Sequence, residues 1–210
     1  MKLRKLGQSD LVITPIGIGA WAIGGGQWEF AWGPQNDEQS ITAIHAGLDL
    51  GINWIDTAAL YGLGHSEIVV GRAIQGLRSR PYVFTKCSLV WDASGDISHN
   101  LQAASIEREC EASLKRLGID SIDLYQIHWP AWKGGLESAS PGSIEEAVGA
   151  LAKLQKRGRF ATLGSRISTC CKWCAPKTSL PLLRCNLPTH WSRWMWSPRS
   201  SPMLSASGLA

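Results

Sequence analysis

After a short hairpin pattern, the chain alternates strand-like and helix-like segments without a break, and this alternation limits its fold more than any other feature. The opening "LRKLGQSDLVI" alternates around a "GQSD" turn and predicts a hairpin. "PIGIGA" is short, apolar and strand-like. Asp37 is expected to cap a helix over "EQSITAIHAGLDLG", with Ile41, Ile44 and Leu48 at helical spacing and Gly51 as its stop. "INWID" predicts a strand, and "SEIVVGRAIQGL" a helix with Ile68, Val69, Ala73 and Leu77 on one side. "PYVFTK" is the next strand, and "SHNLQAASIERECEASLKRLG" a long amphipathic helix ending at Gly118. "IDLYQIH" follows as a strand, then "SIEEAVGALAKLQKRG" as a helix opened by a capping box from Ser143 to Glu146. "RFATLG" reads as one more strand.

One helix between each pair of strands implies an α/β fold, a parallel sheet with right-handed crossovers. Two architectures satisfy that order, a doubly wound sheet and a (β/α)8 TIM-type barrel. "GIGAWA" matches the dinucleotide pattern G-x-G-x-x-A. The following "IGGGQWEFAWGP" cannot begin the helix whose N-terminus would hold a pyrophosphate, which disfavours the doubly wound sheet. The barrel gains from a second pattern. Successive strands end in Asp56, Lys86 and His128, and barrel active sites lie at the C-terminal ends of strands. Polar residues often end strands, which accounts for any one of these easily and for all three together poorly.

With 210 residues and 44% hydrophobic content the chain can bury one sizeable core. It holds no run of about eighteen apolar residues, so no membrane partner is expected. The basic start is broken by Gln8, Ser9, Asp10 and Pro15 and does not read as a leader, and the six cysteines are scattered; a cytoplasmic protein is expected.

The strand ends acquire chemical meaning with Tyr61, which lies five residues beyond Asp56 in "IDTAALYGLGHSE". A free phenol ionises only near pH 10, too high for efficient proton transfer at neutral pH. A neighbouring ammonium favours the phenolate, and a carboxylate keeps that ammonium charged in a partly dry site. A histidine beside the phenol can orient a carbonyl oxygen. Asp56, Tyr61, Lys86 and His128 therefore suit protonation of an oxygen on which negative charge builds, as in carbonyl reduction by hydride from a cofactor. The other candidates weigh less. His45 reads as a surface or half-buried side chain, His65 has a smaller claim to a substrate role, and Cys87 is expected to pack. Trp28 and Trp32 could equally line a substrate mouth or cover the barrel end.

The motifs "GIGAWAIGG", "GINWIDTAALYGLGHSE", "VFTK", "SLKRLGIDSIDLYQIHWP" and "LQKRGRFATLG" stand in the order and spacing of a known family. Over residues 1–164 the chain resembles the aldo/keto reductases, NADP-dependent barrel oxidoreductases, and is most similar to their bacterial members. The resemblance implies NADPH-dependent reduction of a small aldehyde or ketone. Tyr61 would be the general acid, Lys86 its tuning partner, Asp56 the partner of Lys86, and His128 the group that orients the substrate carbonyl. It also implies Gly19, Ala20, Trp21 and Asp56 beside the nicotinamide, with Trp21 and Trp129 lining the substrate pocket, and neither a metal nor a nucleic-acid partner.

The resemblance stops at Gly164, Ser165 and Arg166, where the family carries a "G-V-S-N" type sequence. The expectation is an incomplete barrel: hairpin, about four β/α units and a fifth strand. Residues 165–210 would form an aberrant, disordered tail, and activity would be weak or lost. Residues 1–146 hold 11 Lys and Arg against all 17 acids, whereas residues 147–210 hold 10 and no acid. Four of the six cysteines and four of the eleven tryptophans also lie beyond residue 165. Cys171, Cys174, Cys185 and His190 could be read as a zinc set, and "HWSRWMW" as a nucleic-acid or membrane-surface segment, which would make the chain a binding module on a half barrel. A shift of reading frame near codon 165 explains the composition better. With suitable codons, Leu183 through Trp191 shifted by one base spells Ser-Leu-Gln-Pro-Pro-Tyr-Ser-Leu, similar to the sixth-strand region of intact family members.

Overall fold

The computed structural model describes residues 1–129, 141–165 and 183–184. The readings of the tail (the zinc set, the Arg/Trp run and the shifted frame) lie outside the described residues, apart from a two-residue strand. β1 (Arg4–Lys5) and β2 (Val12–Ile13) form the expected antiparallel hairpin. β3 (Ile18–Gly19), β4 (Trp54–Asp56), β5 (Tyr82–Cys87), β8 (Ile122–Ile127), β9 (Phe160–Ser165) and β10 (Leu183–Arg184) make one six-stranded sheet, every pair parallel. Its spatial order is the order of the chain, β3-β4-β5-β8-β9-β10. A doubly wound sheet must reverse direction at a switch point, and this one never does. The architecture is of the (β/α)8 barrel type, present over part of the barrel.

Helices α1 (Asp37–Asp49), α2 (His65–Ile74), α3 (Ala103–Leu117) and α4 (Ile144–Lys156) link these strands, and each packs on the next. Between sheet and helices lies the main core, with Ile55, Val83, Tyr125 and Phe160 from the strands against Val70, Ile106 and Leu151 from the helices. A smaller cluster on the opposite sheet face joins Leu11 of the hairpin connection to Phe84 and Leu124, with Trp54 and Tyr82 beside them. The hairpin thus covers the lower end of the interior. Both clusters follow from the two-residue period of strands, which sends alternate side chains to opposite faces. No helix of the described residues is long and apolar enough to cross a membrane.

Four local expectations need correction. Asn36, not Asp37, caps α1: its side chain accepts from the Gln39 N–H at 2.9 Å, and Asp37 is the first helical residue. The segment expected to start α3 instead pairs as β7 (Ile97–His99) with β6 (Leu89–Trp91) in a second hairpin, so that helix begins only at Ala103. On α2 the buried face runs through Val69, Val70, Ala73 and Ile74, which leaves Ile68 exposed. Ser143 accepts from the Glu146 N–H at 3.2 Å as expected, yet the Glu146 carboxylate does not return to Ser143. It accepts from the Ala103 N–H at 2.8 Å and so serves α3, whose own N-cap, Gln102, makes no side-chain bond.

Candidate active site

The inward faces of β4, β5 and β8 carry apolar side chains low in the interior and ionisable ones at the top. Asp56 pairs in register with Phe84, and Lys86 with Gln126. Lys86 and Gln126 each stand two residues beyond an inward apolar residue, Phe84 and Leu124, so the strand period aims both at the same space. Lys86 is almost fully buried, and its ammonium donates to Asp56 Oδ2 at 2.8 Å and to the Thr57 carbonyl at 2.6 Å. Asp56 keeps a third of its side-chain surface exposed, and its other oxygen meets Gln126 Nε2 only at 3.4 Å. A buried cation thus has its charge matched and two of its three donors engaged, while the matching carboxylate stays partly exposed.

Tyr61 enters from the turn after β4, where its N–H donates to the Ala58 carbonyl and its own carbonyl accepts from the Ser66 N–H, both at 3.1 Å. It is 4% exposed. The Lys86 ammonium lies 5.0 Å from the centroid of its ring. The buried His128 ring stands edge-on at 5.7 Å and 79°. His128 is held at the end of β8 by its N–H, which donates to the Cys87 carbonyl at 2.9 Å. The sequence reading of Asp56, Tyr61, Lys86 and His128 as one set therefore meets a geometry in which all four converge.

The loop after β3 closes one side. Trp21 stacks on Tyr61 at 5.7 Å with the rings 6° from parallel, Trp28 lies 6.2 Å from Tyr61, and Trp32 is 5.6 Å from Trp21. Backbone packs on backbone where this loop docks. Gly62 has φ +63°, and a Cβ there would come within 2.0 Å of the Gly24 carbonyl oxygen, so only glycine fits. Gly19 pairs beside Asp56, and a Cβ on it would meet nothing within 4 Å. Ala20 is fully buried, with its N–H donating to the Asp56 carbonyl and its carbonyl accepting from Ser66 Oγ. Trp129 is 39% exposed at the end of β8.

The remaining sequence candidates fall elsewhere. His45 is exposed and bonds the Ala73 carbonyl, and His65 ties α2 to Asp37 of α1 at 2.8 Å. Cys87 is buried in the core and burial pushes its thiol up, so it packs rather than reacts. Among the described residues no three His, Cys, Asp or Glu side chains group as a metal site. Sequence reasoning missed Thr57 and Gln126. Gln126 was within reach, because a residue two before His128 on a strand must share its face.

Known proteins are similar to this chain in sequence and in fold. The aldo/keto reductase family model matches residues 15–169. An NADH-specific methylglyoxal reductase of Escherichia coli is 39% identical over 178 residues, covering 79% of this chain and 52% of the relative. A glycerol dehydrogenase from Gluconobacter oxydans superposes with a TM-score of 0.65 at 37% identity, over 78% of this chain and 47% of its own. An aldo-keto reductase from Klebsiella pneumoniae in complex with NADPH gives 0.57 at 31% identity, over 75% and 47%. The chain spans about half the length of the curated relatives it matches. It belongs to the aldo/keto reductase family.

Proposed function

We propose that this site reduces the carbonyl group of a small aldehyde or ketone, with Tyr61 as the proton donor and NADPH as the cofactor. One observation carries the reading: a buried phenol ring has the Lys86 ammonium at 5.0 Å and the His128 ring at 5.7 Å. The nicotinamide, when bound, supplies the hydride. The Tyr61 hydroxyl gives its proton to the carbonyl oxygen as negative charge gathers there. The Lys86 charge favours the phenolate left behind, and Asp56 with the Thr57 carbonyl keeps that ammonium in place. His128 orients the substrate oxygen, and Trp21 and Trp129 wall the pocket. Gly19, Ala20, Trp21 and Asp56 fit the nicotinamide end, since Gly19 leaves free space beside a partly exposed carboxylate. The relatives use both nicotinamide forms by name, and one of them is named for the small dicarbonyl methylglyoxal.

Purified chain assayed with NADPH and methylglyoxal tests the reading. Turnover is expected to be weak, because residues 1–164 supply only this part of the barrel. Tyr61→Phe should lower it by roughly 10²–10⁴, the usual range for a positioned acid. A variant as fast as wild type would overturn it.

A further inference from the structure

Tyr61 sits on a turn that lies outside the sheet ladder. The backbone bonds of this turn run from Tyr61 to Ala58, from Leu63 to Leu60 and from His65 to Gly62, and among the described residues no strand pairs with it. The strand ends beside it are fixed points. The Ala20 N–H donates to the Asp56 carbonyl at 2.9 Å, and the Thr57 N–H to the Phe84 carbonyl at 2.8 Å. Ser66, in the first turn of α2, reaches all three places. Its N–H donates to the Tyr61 carbonyl at 3.1 Å, and its hydroxyl meets the Ala20 carbonyl at 2.8 Å and Thr57 Oγ1 at 2.9 Å. Thr57 and Ser66 are both fully buried. A hydroxyl has one hydrogen and a carbonyl can only accept, so Ser66 donates to Ala20 and Thr57 donates to Ser66.

We propose that Thr57 and Ser66 are positioning residues, a hydroxyl relay from Thr57 through Ser66 to Ala20 that moors the Tyr61 turn to the ends of β3 and β4. The proposal rests on the reading of Tyr61 as the proton donor. Thr57 then serves both halves of that device. Its carbonyl accepts from the Lys86 ammonium at 2.6 Å, and its hydroxyl holds, through Ser66, the turn that carries Tyr61. The 5.0 Å between ammonium and phenol ring is thereby set from one residue. Ala20 adds a third side, since Trp21 beside it stacks on the Tyr61 ring. Contact between Gly24 and Gly62 limits how near the turn can come, and the relay limits how far it can move away. The fold itself does not depend on the relay, because Glu67 docks α2 separately on Thr85 of β5 and Arg116 of α3.

Hydrogen exchange at the Tyr61 and Ser66 amides reads the mooring in the full chain, with neither substrate nor cofactor. A failure here is therefore distinct from a failure of the proposed reaction, which Tyr61→Phe tests by turnover. The Ile122 and His128 amides, which donate to the Arg159 and Cys87 carbonyls between neighbouring strands, report the fold as a whole. Thr57→Val keeps the side-chain shape and removes the donor. Protection at Tyr61 and Ser66 should then fall about tenfold, the scale of one lost buried hydrogen bond, with Ile122 and His128 unchanged. Thr57→Ser keeps the hydroxyl without the methyl group and should match wild type, whereas a packing role would show the reverse order. Ser66→Ala leaves a buried donor and a buried acceptor without their shared partner, so its loss should exceed that of Thr57→Val. The proposal is overturned if Thr57→Val keeps wild-type protection, if Thr57→Ser loses as much as Thr57→Val, if Ser66→Ala loses less than Thr57→Val, or if the loss at the turn is matched at Ile122 and His128.

Discussion

Two neighbouring residues of β5 point to opposite faces of the sheet, and each meets a carboxylate on its own side. Lys86 faces inward to Asp56, while Thr85 faces the helices and donates to Glu67 of α2, which also holds Arg116 of α3 at 2.7 Å. The two acids differ in what remains to them. Glu67 is fully buried with both oxygens engaged, whereas Asp56 keeps a third of its surface and one weakly engaged oxygen. Both are ion pairs of an acid with a base from the next β/α unit. One is consumed by the architecture, and the other is left partly unspent for a ligand.

The sharpest way to break this comparison is to remove one charge from the helix-side pair. Glu67→Gln leaves Arg116 mostly buried without its counter-charge, and breaking a buried pair in this way costs about 3–5 kcal/mol. Denaturant unfolding should show that loss in full. A cost below about 1 kcal/mol would mean that the helix layer relaxes around Arg116 and that the pair is not structural.

The contrast also marks what the sequence could disclose. Asp56, Lys86 and His128 were legible because each closes an apolar strand, and the strand period then fixes a shared face. Parallel pairing followed from the alternation of elements, and the ionisable strand ends favoured the sequential order of a barrel. Glu67 gave no such sign, because an acid in the first turn of a helix normally faces water beside the helix dipole. Its burial arises from α2 crossing α3 closely at Gly71, where a Cβ would come within 2.7 Å of the Leu117 carbonyl oxygen. Glu146 misled for a similar reason, since its spacing from Ser143 is local but its partner, Ala103, belongs to another helix. The β6–β7 hairpin was hidden because "SHNLQ" runs straight into a strong helical period. Long-range contacts decided each of these, and spacing within a segment cannot report them.

A smaller effect on stability, with a large one on chemistry, is expected at the mouth. Lys86→Met replaces a buried ammonium by an apolar chain of similar length and leaves Asp56 able to hydrate through its exposed third. Removing one partner of an ion pair is costly when the other charge stays buried, but here the carboxylate left behind can reach water, so unfolding should shift by only about 1 kcal/mol, as for an exposed pair. Carbonyl reduction should nevertheless be lost, because the ammonium 5.0 Å from the Tyr61 ring is gone. A loss of 3 kcal/mol or more, as large as at Glu67, would erase the distinction between the two pairs.

The smallest effect belongs to a third set of charges, outside both layers. Arg72 of α2 reaches Asp37 at 3.1 Å and also bonds Glu38, while His65 bonds the same Asp37. These groups join α1 to α2 much as Arg116 and Glu67 join α3 to α2, but solvent reaches all of them: Arg72 is 44% exposed and Glu38 74%. Water and salt screen such pairs, and holding long side chains in one geometry costs rotamer freedom, so Arg72→Ala should lower stability by less than about 1 kcal/mol. A double-mutant cycle with Asp37→Ala, repeated at high salt, separates the pair from the packing of the arginine stem. Screening should shrink the coupling between Arg72 and Asp37. A coupling as large as that of Glu67 with Arg116, unchanged by salt, would show that burial is not what sets the strength of these links and would undo the comparison of Glu67 with Asp56 as well.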